Sequence, residues 1–297
     1  MSNTTLQADV VAKAALAILE NEYSKNVNGY KVGDTIRIRR PADFVVRTGA
    51  TLDAKDVIEG YTTLVVDQQI GVDFSFTSTD LTLKIEDLSQ RVIKPAMSSI
   101  INYMANDVAT KMYQGTYNWA GTAGQTINSF ADFAKGPERL DEMAVPQDGR
   151  LALLSPADYW GLVGAQTGLF NGSMVSEAFK SGTLSQIGNI NTYMSAVTPA
   201  HTNGSADNTT PLTDGNSQQV TYDTAKNTWT QTIITDGWDS SSTLTAGTVF
   251  TIDGIYMVNP KTKASTGILQ QFVVTANVTA NETTTADTTL TIAPPII

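Results

Sequence analysis

Cysteine is absent from this chain of 297 residues, and histidine occurs once. The first absence excludes a disulfide framework, a thiolate nucleophile and a thiolate zinc site, and leaves the redox compartment undetermined. The second excludes a histidine metal triad, because one imidazole cannot supply three ligands. Charge is scarce as well: Asp, Glu, Lys and Arg make up 16% of the residues, where about a quarter is ordinary. A subunit that hides much of its surface in permanent contacts tolerates that deficit, and so does a surface on which Thr, Ser and Asn replace charge. The net charge of −10 provides no global basic footprint, so bulk nucleic-acid binding is disfavoured and any phosphate contact would have to be local. No apolar run reaches membrane length. The opening "MSNTTLQADVVAKAALAILENEYSK" lacks a basic n-region and carries Lys13 inside its apolar run. It predicts an amphipathic helix of a soluble protein from about Gln7 to Tyr23 rather than a signal peptide.

What is present is length enough for about two domains and a hydrophobic pattern that changes period along the chain. In "KVGDTIRIRRPADFVVRTG" the period is two, Ile36 and Ile38 alternating with Arg37 and Arg39 before Pro41 breaks the run. "YTTLVVDQQIGVDFSFTSTDL" predicts two further strands, through Leu64 and Val66 and through Val72, Phe74 and Phe76, making a ribbon of two or three strands. From Glu86 the period becomes helical, with Ile93, Met97, Ile100, Met104 and Val108 at steps of three and four and Ile101, Ala105 and Met112 widening the stripe. The helix runs to Tyr113, with Pro95 demanding either a kink or a start near Lys94.

Beyond a Gly/Thr/Asn stretch at 115–128, helical pieces are expected around Pro137, then a buried strand at "RLALLS", then a helix at "SPADYWGLV" with Ser155 as N-cap and Pro156 in the first helical position. Near Thr198 the composition shifts. Threonine supplies about a quarter of the remaining residues, and short strands recur ("QQVTYD", "TWTQTII", "TVFTIDGIYMV", "LQQFVVTANV", "TTLTIAPP") between Gly, Asn and Asp turns. This predicts an all-β module.

Chemistry is thinly represented. His201 lies in "TPAHTNGSADN", a linker composition, and could enter a catalytic triad only if remote residues converged on it. Asp236 with Asp239, or Glu86 with Asp87, could act as acid and base or hold calcium, but the calcium-loop pattern is missing. Asp236-Gly237 reads more simply as a hairpin turn, and Glu86 and Asp87 as charges that suit the start of a helix. "GTAGQT" lacks the Lys-Ser/Thr of a phosphate loop. One charged cluster remains: Lys31, Arg37, Arg39, Arg40 and Arg47, followed by Asp53, Asp56 and Glu59. It is either a set of inter-subunit ion pairs, in which Arg forks give geometric specificity, or a solvated edge strand guarded by charge.

The order of these elements, with "GDTIRIRRPADFVVRTG" leading into "VVDQQIGVDFSFTSTDLTLKIEDLSQRVIKPAMSSIINYMANDVA" and later "GLFNGSMVSEAFKSGTLSQIGNINTYMS", resembles the major capsid proteins of tailed bacteriophages. More narrowly, it resembles the short-tailed Salmonella-type phage coat family, which carries an inserted β-domain. The resemblance spans about residues 1–200 and is weaker over 198–297. It implies an α+β chain of the Hong Kong 97-type capsid fold: an N-terminal helical arm (1–33), an extended β-arm or E-loop (34–85), a spine helix (86–114), an axial and peripheral α/β region (115–197) and an all-β insertion-like domain (198–297). By the same resemblance the glycines of 167–195 shape loops around the capsomer axes, and the basic arm lies over a neighbouring subunit, which makes Arg37, Arg39, Arg40, Arg47, Asp53, Asp56 and Glu59 the expected interface residues.

The implied function is that of a major capsid protein, not an enzyme, with no cofactor and no metal. It would self-assemble into hexamers and pentamers of an icosahedral shell that encloses double-stranded DNA without binding it specifically. Scaffolding and portal proteins are the implied partners, no membrane is involved, and the implied location is the virion, after assembly in the host cytoplasm. Chains of that family continue past the inserted domain, whereas this sequence stops at "LTIAPPII". The expectation is either a truncated product or a β-module placed at the end. The alternatives from other classes are a secreted β-rich adhesin or surface-layer protein, and a hydrolase built on scattered carboxylates.

Overall fold

The structure is a computed structural model, and it describes residues 35–39, 49–50, 52, 54, 61–65, 67–75, 89–166, 184, 186–206, 210–218, 229–239, 241–280 and 287–296. The helix expected over 7–23, most of the arm, most of "QQVTYD" and residues 167–183 lie outside that set. The chain is a mixed α+β protein. It falls into two compact units, one of Met1–Leu16, Gly71–Ala200 and Val249–Gln271, the other of Ala17–Ile70, His201–Thr248 and Phe272–Ile297.

Strands β1 (Thr35–Arg39) and β2 (Tyr61–Val65) form an antiparallel pair in which Ile36 faces Leu64, Arg37 faces Thr63 and Arg39 faces Tyr61. Of the further strand expected through Val72, Phe74 and Phe76, residues 67–75 have no regular structure and the Val72 and Phe74 side chains are exposed, while Phe76 lies outside the described residues.

In the first unit a π-helical turn, Ser89–Ile93, runs into α1 (Lys94–Gly115). Pro95 sits in the first turn of α1, directly after the π-helical turn, so the change in helical hydrogen bonding falls where the proline removes an amide donor. Next come α2 (Phe130–Glu142), β3 (Leu151–Leu154), α3 (Pro156–Gln166), β4 (Gln186–Ile187) and β5 (Ile190–Met194). Rather than separate pieces around Pro137, α2 is one helix with that proline inside it, so the Phe133 carbonyl loses its amide partner while the turns on either side persist. β3 pairs parallel with β5, which pairs antiparallel with β4, giving the order β3-β5-β4. Phe133, Leu154, Tyr159, Leu162, Val163, Leu184, Ile187 and Ile190 form the core between this sheet and the two helices. β3 was expected to be buried throughout, yet only Leu154 is, while Leu151 and Leu153 point to solvent. An edge position with one covered face restores the period of two. Two polar ties fix residue 184 to the core: its amide donates to Tyr159 Oη (2.7 Å), and its carbonyl accepts from Thr192 Oγ1 (2.7 Å).

In the second unit β6 (Leu212–Thr213) and β7 (Gln231–Asp236) are antiparallel, and β8 (Thr243–Leu244) lies in a separate pair. The first unit resumes with β9 (Val249–Val258) and most of β10 (Ser265–Val274), which form a hairpin. Its turn is held by Asn259, whose side-chain oxygen accepts from the amides of Lys261 (2.9 Å) and Thr262 (3.2 Å). Back in the second unit, the last residues of β10 pair with β12 (Thr288–Ala293), β12 pairs with β7, and β11 (Val278–Thr279) pairs with β8. Ile233, Phe272, Val273, Val274, Leu290 and Ile292 are buried there. Buried Gln231 is satisfied by the amide of Ile296 and the carbonyl of Gln218. The buried Trp238 indole donates to Thr235 Oγ1 (2.8 Å), as a polar atom taken out of water requires.

The start of α3 is closely packed. Ser155 Oγ accepts from the Asp158 amide (3.2 Å) and donates to Asp158 Oδ2 (2.6 Å), and Asp158 Oδ1 accepts from the Ile127 amide (2.8 Å). One residue thus helps cap the helix and clamp the loop before α2 against it. A β-carbon at Gly161 would lie 2.8 Å from the Ile127 carbonyl oxygen, whereas one at Gly164 would meet nothing within 4 Å. Gly161→Ala is therefore expected to lower unfolding stability by about 1–3 kcal/mol. Gly164→Ala should leave it unchanged or raise it by up to about 1 kcal/mol. Urea unfolding of both variants checks this, and equal midpoints would contradict the close approach.

Candidate functional site

The candidate contact surfaces are β1, α1 and β3. Arg37 and Arg39 occupy alternate register positions of β1, opposite Thr63 and Tyr61. Arg40, Arg47, Asp53, Asp56 and Glu59 lie outside the described residues, as do Lys31, Glu86 and Asp87.

Of the 22 residues of α1 none is buried. The stripe that sequence period marks as apolar is half in water: Met97 is 53% exposed, Met104 42% and Met112 64%, with Ile93 just before the helix at 43%. Scattered exposed apolar residues are ordinary, but a line of them along one helix marks a surface that contacts something. On the small sheet and its helices Leu151, Leu153, Phe130 and Trp160 are exposed too, so that unit has a covered face and an uncovered apolar one. The loop leaving α1 is fixed by an amide clamp: the Trp119 amide donates to Gln271 Oε1 (2.9 Å), and Gln271 Nε2 donates to the Trp119 carbonyl (2.9 Å). A side-chain amide thereby imitates a strand partner.

The arrangement offers no catalytic constellation among the described residues. His201 is exposed and touches Asn203 Oδ1 (2.9 Å) and Thr248 Oγ1 (3.4 Å) rather than a nucleophile with an acid. Asp236-Gly237 does not close a hairpin, because β7 pairs with β6 and β12 and the chain moves on to β8 in another sheet. Gly237 instead takes a left-handed φ of +76° that favours glycine, with the Thr210 carbonyl oxygen 3.0 Å from where a β-carbon would lie. "GTAGQT" is a loop between α1 and α2 with no strand before it. No group of three or more His, Asp or Glu among the described residues is placed to hold a metal.

Charged side chains serve structure instead. Arg150, with little of its side chain exposed, donates through Nη2 to Asp141 Oδ1 (2.6 Å) and the Val145 carbonyl (2.7 Å), and through Nε to the Pro146 carbonyl (3.0 Å). It closes the turn between α2 and β3. Sequence reading missed this residue, since carbonyl acceptors have no sequence signature. The capping box in which Ser129 Oγ meets the amide and carboxylate of Asp132 was also missed, although Ser-x-x-Asp before "FADFA" announces it. The Arg150 hydrogen bond holds the Asp141 carboxyl below the usual range, and Ser129 and then Lys135 do the same for Asp132. A hydrogen bond to Asp214, with some desolvation and the charges of Asp214 and Asp236, raises Asp287. Burial raises Tyr117, against the hydrogen bond from Asn118 and the charge of Arg139.

A model of the family described as "P22 coat protein - gene protein 5" matches residues 4–297. The chain belongs to the P22 coat protein family. Its class is therefore structural, a phage coat protein of the virion capsid, and the exposed apolar faces belong to a protein whose family builds a shell from subunits. Among solved structures, a chain from Mycobacterium phage Che8 aligns over 89% of this chain and 81% of its own, with a TM-score of 0.47 and 11% identity. No curated protein matches the coat chain.

The two groups of shifted carboxyls act oppositely on stability. For Asp141, whose folded value is depressed, the contribution is present above the unfolded value of about 3.9 and is lost as pH falls through the folded value. For Asp287, whose folded value is raised, it is present below the unfolded value and lost as pH rises through the folded one. Asp287→Asn is expected to raise the melting temperature at neutral pH and to leave it unchanged in acid. Arg150→Met should lower it at neutral pH and flatten the acid decline. Melting curves across that range check both, and parallel shifts at every pH would contradict the assignment.

Proposed function

We propose that this chain is the major capsid subunit of a tailed phage, folded on the Hong Kong 97-type plan and closing as hexamers and pentamers into an icosahedral shell around double-stranded DNA. The observation that carries this reading is the coat-family match over residues 4–297. The order of elements supports it: a β-pair, a long helix, a small α/β sheet and then a β-rich stretch. So does the apolar surface left uncovered on α1 and β3, which contact with other copies of the chain would remove from water. Closed symmetric shells reuse one patch many times, so low charge with exposed apolar stripes suits such a subunit. In this reading the β-arm reaches a neighbour through Arg37, Arg39, Arg40 and Arg47 with Asp53, Asp56 and Glu59. Scaffolding and portal proteins are the partners, assembly takes place in the host cytoplasm, and the acidic chain (net −10) encloses the polyanion without gripping it.

Reversing charge at Arg39 and Arg40 (R39E with R40E) tests the arm. The variant subunit should keep its far-ultraviolet circular dichroism and melting temperature while sedimenting as unassembled protein under conditions where the parent forms shells. Shells of normal size and yield from the variant would overturn the role of the arm.

A further inference from the structure

The single histidine, His201, lies against an Asn-Gly dipeptide. Its Nε2–H donates to the side-chain oxygen of Asn203 (2.9 Å), and Asn203 is followed by Gly204. Asn203 is exposed, and its dipeptide is pinned on both sides: the Thr202 carbonyl accepts from Thr245 Oγ1 (2.7 Å), the Ser205 amide donates to Thr243 Oγ1 (3.0 Å), and the Ser205 carbonyl accepts from the Thr243 amide (2.9 Å). Glycine is obligatory at 204, because a β-carbon there would overlap the Thr243 carbonyl. Packing therefore forces the one following residue that leaves a backbone nitrogen sterically free to attack an asparagine side chain.

We propose that Asn203 is a site of self-deamidation, with His201 as the catalytic residue that donates a hydrogen bond to the reacting amide oxygen. The backbone nitrogen of Gly204 bonds to Cγ of Asn203 and gives up its proton to water. Negative charge develops on Oδ1, where the imidazole N–H already points, as a donor aimed at a developing oxyanion must. Collapse of the adduct breaks the Cγ–Nδ2 bond, and the departing nitrogen takes up a proton and leaves as ammonia. The five-membered succinimide is then opened by water at either carbonyl, giving aspartate or isoaspartate at position 203. No oxidant, reductant or cofactor enters. The product adds one negative charge, and in its isoaspartate form one extra methylene, to the backbone immediately before the Ser205–Thr243 pairing. The change is slow and irreversible, and it is located where the β-rich stretch begins.

The test is peptide mapping of the purified full chain, aged at neutral pH either folded or in urea, with aspartate and isoaspartate quantified at position 203. The same dipeptide at 28–29 and 171–172 gives the intrinsic Asn-Gly rate in the urea sample. Folded protein should convert position 203 faster than unfolded protein does. His201→Ala, with its fold verified by circular dichroism, should slow the folded rate about 3- to 10-fold, the size of one solvent-exposed hydrogen bond. Asn203→Gln should abolish conversion there. A folded rate at 203 equal to or below the urea rate, or a His201→Ala rate equal to that of the parent, would overturn the proposal.

Discussion

A helix whose apolar stripe is not buried by its own chain sets the terms for the rest of this structure. The 22 residues of α1 include none that is buried, and Met97, Met104 and Met112 stand substantially in water. In an isolated soluble protein such a stripe would be a liability for stability and solubility. The proposed shell would cover it, since removing apolar area from water drives association as it drives folding. The exposed Leu151 and Leu153 on β3 extend that logic to the edge of the small sheet. Low charge content is the compositional side of the same fact.

Against these uncovered faces, each unit has a compact interior of its own. The eight-residue core around Leu162 is tied by polar contacts that leave little freedom, with Tyr159 and Thr192 holding residue 184 and Asp158 clamping the loop before α2. In the β-rich unit the work is done by amides and hydroxyls: Gln231, Thr235 and Gln218 supply donors and acceptors where strands stop short. Gln218 bonds both the amide and the carbonyl of Ile234 through its side chain. In a module with so much threonine and so few charges, side-chain amides and hydroxyls thus pair with backbone groups at the ends of strands.

How much of this was legible in the sequence depends on whether the signal is local. Ser155 and Pro156 announced the start of α3, Pro95 announced the start of α1, and the strands β7, β9, β10 and β12 stood out by β-branched alternation. Apolar character without tertiary context misled at "RLALLS", where an edge position exposes Leu151 and Leu153, and at Val72 and Phe74, where the described residues 67–75 have no regular structure. Pro137 looked like a break because its cost is local, whereas the turns of α2 around it are held by packing at Phe133 and by the Ser129 cap. Contacts such as Arg150 to successive carbonyls, or Gln271 to Trp119 across 152 residues, are set by the fold and leave no mark on spacing. Of the candidate interface, two arginines have their place on β1. Family resemblance was legible in wording and order over about residues 1–200 rather than in any single site, and the family model extends the match to residues 4–297.

The most direct test of the central claim is sedimentation velocity combined with negative-stain electron microscopy on the folded protein expressed with its neighbouring genes. The account predicts closed shells of uniform size that contain the chain. A full-length, folded product found only as monomers or as open fibres would contradict it.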